Sequence, residues 1–234
     1  MTRIPLRRNS AKSKALLIGI EYLDPNTCQD EVEQLPGIHD DVRRLKDHLV
    51  NKHKYPQEHV KILVDGHNDG TMRPTKLNIL REIDELVSDV KAGDRLVFCF
   101  GGHCYQLVNR DFTENDGLDE AILTDGHNGP PVGPKDTYLD PETLPEDERK
   151  KLEEGYIVDD ELRKRLVDQL PHGVDLVRMI KLLLFWHTDG FIKISIASAE
   201  DHQSSWAGPN KSMVSVLIDI LEDPESEAGI PESR

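Results

Sequence analysis

Leu96-Val-Phe-Cys-Phe-Gly-Gly-His-Cys104 is the stretch that decides how this chain is read. Five apolar residues in a row, entered from Arg95 and left through paired glycines, form the pattern of a strand buried on both faces of a parallel sheet. The glycines let the backbone turn sharply, so His103 stands at the strand's carboxyl edge, where open α/β folds keep their sites. A single histidine at a strand end is more often structural than catalytic, and its meaning depends on what surrounds it.

The same strand type recurs along the chain. Ala15-Leu-Leu-Ile-Gly-Ile20, Val60-Lys-Ile-Leu-Val64, Ala121-Ile-Leu123 and Phe191-Ile-Lys-Ile-Ser-Ile196 are further strand candidates, most of them flanked by Gly, Asp or Asn. Between the first two, Ile38, Val42, Leu45 and Leu49 recur at helical spacing, predicting an amphipathic helix over 38–52. A second helix carries Pro74 near its first turn and a stripe of Leu77, Leu80, Ile83, Leu86 and Val87. Residues 159–168 and 213–221 read as two more. Strands alternating with helices predict an α/β fold, a mostly parallel sheet with helices on both faces. Residues 126–155, rich in Gly, Pro and charge, predict an exposed loop or a short solvated helix around Pro145 to Glu154.

Composition narrows the function classes. The 234 residues, 37% of them hydrophobic, suffice for one core, expected over 13–222, between a disordered basic arm at 1–12 and a polar tail at 223–234. The formal net charge of -15, from 44 acidic against 29 basic side chains, opposes a nucleic-acid partner. The basic arm has no apolar core of a secretory signal, and the longest apolar run falls far short of the roughly 20 residues of a membrane span. Three cysteines, at 28, 99 and 104, give neither an even disulfide framework nor a Cys-x-x-Cys metal spacing, which fits a reducing cytoplasmic location. A Gly-rich phosphate loop is missing after the first strand, which argues against a nucleotide-binding domain.

The order of segments around His103 resembles the type I metacaspases, cysteine endopeptidases of the caspase clan. Lys14-Ala-Leu-Leu-Ile-Gly-Ile-Glu-Tyr22 is similar to their opening strand, and Leu35-Pro-Gly-Ile-His-Asp-Asp-Val42 to the start of their first helix. Pro74-Thr-Lys-Leu-Asn-Ile79, Ala92-Gly-Asp-Arg-Leu-Val-Phe98 with Gly102-His103, Asn115-Asp-Gly-Leu-Asp-Glu-Ala-Ile122, Ile157-Val-Asp-Asp-Glu-Leu162 and Ala197-Ser-Ala-Glu-Asp-His-Gln203 follow in the family's order. The resemblance implies a caspase-like three-layer sandwich, monomeric, acting on proteins or peptides after Arg or Lys. It implies that His103 is the catalytic base and that Asp41 lines the pocket for the basic side chain. It implies, too, that Asp119, Asp159 and Asp160 ligate an activating Ca2+, for which hard carboxylate oxygens are suited. An equal alternative for Asp159 and Asp160 is a helix N-terminal cap.

The resemblance breaks at the nucleophile. Leu170-Pro-His-Gly-Val-Asp-Leu-Val177 resembles the strand that leads to the family's cysteine, but Arg178-Met-Ile-Lys-Leu-Leu-Leu-Phe-Trp-His-Thr-Asp-Gly190 contains none. Gly101 stands in the family's pocket serine position and Cys104 in its glycine position, so two departures fall at the site itself. Cys104 is a poor substitute nucleophile, because neighbouring strand residues point to opposite faces. A parallel crossover needs about a dozen residues, and only Lys181 to Gly190 separates a strand ending at Ile180 from Phe191. Either Arg178 to Trp186 is a helix and a strand is lost, or the chain lacks an exon's worth of residues. In both cases the fold misses part of its C-terminal half.

Overall fold

In the computed structural model, residues 11–23, 34–66, 69–110, 117–126, 140–180 and 193–196 are described. Residues 1–10 of the expected arm, the tail, the expected helix at 213–221, the segment Ala197 to Gln203 and Cys28 lie outside them, whereas Lys12, expected in the arm, donates its N–H to Asp94 at 2.6 Å. Eight strands and four α-helices follow one another as β1 (Ser13–Gly19), α1 (Ile38–Asn51), β2 (Val60–Val64), α2 (Lys76–Val87), β3 (Arg95–Gly101), β4 (Cys104–Val108), β5 (Leu118–Leu123), α3 (Glu146–Gly155), β6 (Tyr156–Val158), α4 (Asp159–Leu166), β7 (Asp175–Ile180) and β8 (Lys193–Ile196).

Five strands form one sheet in the order β2-β1-β3-β7-β8, with every neighbouring pair parallel. In β1 the residues alternate between two layers. Ala15 and Leu17 pack with Val42, Leu45 and Leu49 of α1, whereas Leu16 and Ile18 pack in the cluster that holds Ile79, Ile83 and Leu86 of α2 and Leu162 and Leu166 of α4. The period-2 alternation of a strand thus sends one apolar run into two separate cores. That is why the run is unbroken, and it makes the three-layer α/β sandwich.

Helix α2 begins two residues later than Pro74 at the first helical position would place it. Thr75 is its N-cap, with Oγ1 accepting the Asn78 N–H at 3.3 Å, so Pro74 precedes the helix. The buried face is Ile79, Ile83 and Leu86, while Leu77 is 77% exposed. Leu77 and Ile79 lie about 200° apart around the helix and cannot share a stripe.

Residues 121–123 belong to β5 of a separate antiparallel sheet, β4-β5-β6, and not to the parallel one. Of the two alternatives around Arg178, residues 178–180 take the strand ending at Ile180, and β8 pairs with β7 in the register Leu176↔Lys193. β8 is the fifth strand of the parallel sheet. Of the expected loop at 126–155, residues 140–155 form a 3-10 turn at Pro141–Thr143 and then α3, whose Leu152 is buried.

Phe98 is fully buried between the β1 and β7 neighbours of β3. Phe98→Ala is expected to lower unfolding free energy by about 3–5 kcal/mol, read from the shift in urea midpoint at constant slope.

Candidate active site

The carboxyl edge of β1 and β3 is built on glycine. Gly19 and Gly101 are partners in the last rung between the two strands. Ile38, in the first turn of α1, lies over both: a Cβ at Gly101 would meet its Cγ2 at 3.0 Å and one at Gly19 at 3.1 Å. Gly101 is therefore a packing position under α1. Asp41, one turn further along α1, is 8% exposed and faces the sheet near Cys99. Burial, with the Asp41 carboxylate adding to it, pushes the Cys99 thiol up to about 12.

Beyond Gly101 the chain turns through Gly102 to His103. The His103 N–H donates to the Tyr22 hydroxyl at 2.7 Å, and its carbonyl accepts from the Leu123 N–H at 2.9 Å. The Tyr22 hydroxyl in turn donates to the Leu123 carbonyl at 3.1 Å, and the rings of Tyr22 and His103 lie 4.8 Å apart at 35°. The half-buried histidine is thus held at its backbone between β1's exit and the end of β5. Cys104 begins β4, opposite Ile122.

A second group of side chains secures the segment that carries Tyr22. The buried Asp65, at the end of β2, accepts the N–H groups of Glu21 and Leu23, both at 2.8 Å, and its Oδ1 is 2.6 Å from His39 Nε2. Glu21 Oε1 accepts from Gly37 at 2.9 Å and His39 at 3.1 Å. Burial raises the Asp65 pKa, but the bonds from His39, Leu23 and Glu21 outweigh it and hold the carboxyl below the usual range. Nearby, Arg73 grips the buried Asp125 with Nε at 2.6 Å and a terminal nitrogen at 2.9 Å, tying the approach to α2 to the chain leaving β5. None of these pairs was singled out in the sequence. The pairing of a histidine in the first helix turn with an Asp closing β2 is the signal that would have found the first.

The three expected calcium ligands lie on β5 and at the start of α4. Asp119, on β5, accepts from Asn109 Nδ2 at 2.6 Å. Asp159 is 1% exposed in the first turn of α4, and Asp160 beside it is half-buried. The β5–β6 ladder ends at the pair Ala121↔Val158, so Asp159 and Asp160 follow directly on the β6 residue that pairs two positions from Asp119. Among the described residues no group of three His, Cys, Asp or Glu side chains is placed to hold a metal ion. Nor are the two acids the cap: Val158 is the N-cap, and Asp159, Asp160 and Glu161 fill the first turn, where they complement the helix dipole.

Residues 13–130, about half of the chain, match the family model described as "Metacaspase, peptidase C14 domain". The chain belongs to the metacaspase family. It is 35% identical over 221 residues to Metacaspase-1A of Aspergillus oryzae, covering 88% of this chain and 46% of that protein. It is 34% identical over 171 residues to Metacaspase-1 of Plasmodium falciparum, covering 72% and 23%. Metacaspase-1 of Emericella nidulans is 34% identical over 230 residues, covering 92% and 50%. The metacaspase chain described here thus spans half or less of the length of these relatives. Among solved structures, a protein of Geobacter sulfurreducens is 18% identical with a TM-score of 0.49, over 72% of this chain and 49% of that one.

Two outcomes follow from this geometry. At neutral pH the native protein should alkylate at Cys104 and not at Cys99, whose thiol stays protonated; peptide mapping after brief iodoacetamide treatment checks this. The unfolded chain holds a proton on Asp65 more tightly than the folded one. The stability contributed by the Asp65 bonds is therefore complete above the unfolded value of about 3.9 and is lost as pH falls below it through the depressed folded value. Urea midpoints measured between about pH 5 and pH 3 should fall less steeply in Asp65→Asn than in the wild type, from a lower starting stability.

Proposed function

We propose that this metacaspase domain keeps the base of a cysteine-peptidase site, His103, and has lost the thiol it would serve, so that it engages peptides with Arg or Lys at the cleavage position without hydrolysing them. In a cysteine peptidase the histidine takes the thiol proton, the thiolate attacks the scissile carbonyl to give a thioester, and the histidinium protonates the departing amine. The observation that carries the reading is the distribution of thiols. The strand equivalent to the nucleophile strand, β7, runs parallel beside β3, yet residues 105–234 contain no cysteine. Of the two described thiols, Cys99 lies buried beneath α1 and is held protonated, and Cys104 enters β4 directly after the histidine. Asp41 supports the basic preference, since a carboxylate close to the carboxyl edge favours a cationic side chain.

As a regulatory module of this kind the domain would act as a monomer in a reducing cytoplasmic compartment, in keeping with cysteines that form no disulfide among the described residues. Among those residues no helix is long and apolar enough to cross a membrane. Purified protein incubated with a fluorogenic arginine-terminated peptide, with and without millimolar-range calcium, should show no turnover above background. Turnover abolished by His103→Ala would overturn the loss of activity. An arginine-terminated peptide should bind about tenfold more tightly than its aspartate-terminated counterpart, a margin set by one carboxylate pairing, and equal affinities would overturn the basic preference.

A further inference from the structure

We infer that Tyr22 is the positioning residue of this site: it sets the backbone and the ring plane of His103, an inference that rests on His103 being the site's base. Four observations meet at Tyr22. Its hydroxyl is the acceptor for the His103 N–H at 2.7 Å and the donor to the Leu123 carbonyl at 3.1 Å, so it joins the two chain segments that flank the histidine. Leu123 completes the ring of bonds by donating its own N–H to the His103 carbonyl at 2.9 Å. The aromatic ring lies 4.8 Å from the imidazole, tilted by 35°, within the range of favourable aromatic contacts. Lastly, Tyr22 is 2% exposed and has φ of 58°, in the left-handed region that bulky side chains avoid.

A backbone held in that region needs neighbours that over-determine it, and they are present. Asp65 takes the N–H groups on both sides of Tyr22, those of Glu21 and Leu23, at 2.8 Å each, and is itself held by His39 at 2.6 Å. Gly102 supplies the space: a Cβ there would lie 2.9 Å from the Tyr22 hydroxyl and 2.7 Å from Phe100 Cζ. The glycine before the histidine is therefore required by the tyrosine, and the tyrosine's conformation is required by its contact with the histidine. A structural tyrosine filling a core would need neither the left-handed backbone nor the hydroxyl's exchange with His103.

The test follows His103 itself by NMR in isotope-labelled full-length protein, in wild type, Tyr22→Phe and Tyr22→Leu. Tyr22→Phe keeps the ring and removes the hydroxyl: the His103 amide should exchange about tenfold faster, while amides of β1 and β3 change by less than about twofold. Tyr22→Leu removes the ring: the upfield ring-current shift of the imidazole protons should be lost, while Tyr22→Phe retains it. His103 amide exchange unchanged in Tyr22→Phe, or an imidazole shift retained in Tyr22→Leu, overturns the assignment. Should Tyr22→Leu fail to fold, the Tyr22→Phe arm alone decides. Adding an arginine-terminated peptide to wild type should move the imidazole signals. If they do not move, the site reading falls, and with it the purpose of Tyr22, a result distinct from failure of the exchange arm.

Discussion

The close packing of Ile38 of α1 against the glycine rung formed by Gly19 and Gly101 governs much of what lies around it. A helix can settle this close to a sheet only where the strands present no Cβ, and both central strands do so at the same level. Seating Ile38 there fixes the height and rotation of α1, which brings Val42, Leu45 and Leu49 onto Ala15, Leu17, Val97 and Cys99. The same rotation turns Asp41 toward the sheet and His39 toward the end of β2. One steric constraint thus sets two positions that matter at the site.

Charge then holds what packing has placed. Asp65 and Asp125 are buried acids in a strongly acidic chain, and burying a carboxylate is costly unless hydrogen bonds replace its water. Asp65 has two backbone N–H donors and a histidine, and Asp125 has a two-pronged arginine. Losing one partner from such a pair costs on the order of 3–5 kcal/mol, because the other charge stays buried without compensation. Both pairs join loops at the same end of the sheet. The net acidity that argues against a polyanionic partner is therefore partly internal structure, spent on tying down the site's own loops.

Much of the fold was legible because burial on two faces leaves a mark that single residues cannot hide. The runs at 15–20, 60–64 and 95–100 became β1, β2 and β3 within a residue or two, and the spacing of Ile38, Val42, Leu45 and Leu49 became α1. Reading failed where local pattern and tertiary placement diverge. Cys104-Tyr-Gln-Leu-Val108 is short and mixed in polarity, and becomes a strand only because β5 supplies its hydrogen bonds. Residues 121–123 look like their parallel counterparts, since an apolar triplet says nothing of strand direction. Leu77 matched a helical stripe in composition, and the true start of α2 at Lys76 put it on the wrong side. At the site, His103's place at a strand's carboxyl edge was readable from the two glycines before it. Its bonds to Tyr22 and Leu123 join residues 81 apart and 20 apart in sequence, and no local spacing encodes those distances.

What holds His103 also bears on how its persistence is to be understood. The N–H to the Tyr22 hydroxyl and the carbonyl to the Leu123 N–H are made by backbone groups, so any residue with an N–H at this position could complete the circuit. The need for the circuit explains Gly102 and the turn, and it explains why this edge stays ordered whether or not a thiol lies opposite. It does not call for an imidazole. The ring's own contribution is its contact with the face of Tyr22, which leucine or phenylalanine would supply as well in purely apolar terms. A histidine is distinguished from those residues by nitrogens that exchange protons near neutral pH. The imidazole at 103 is thus a chemical feature separable from the fold, since the backbone circuit that fixes this edge would close without it.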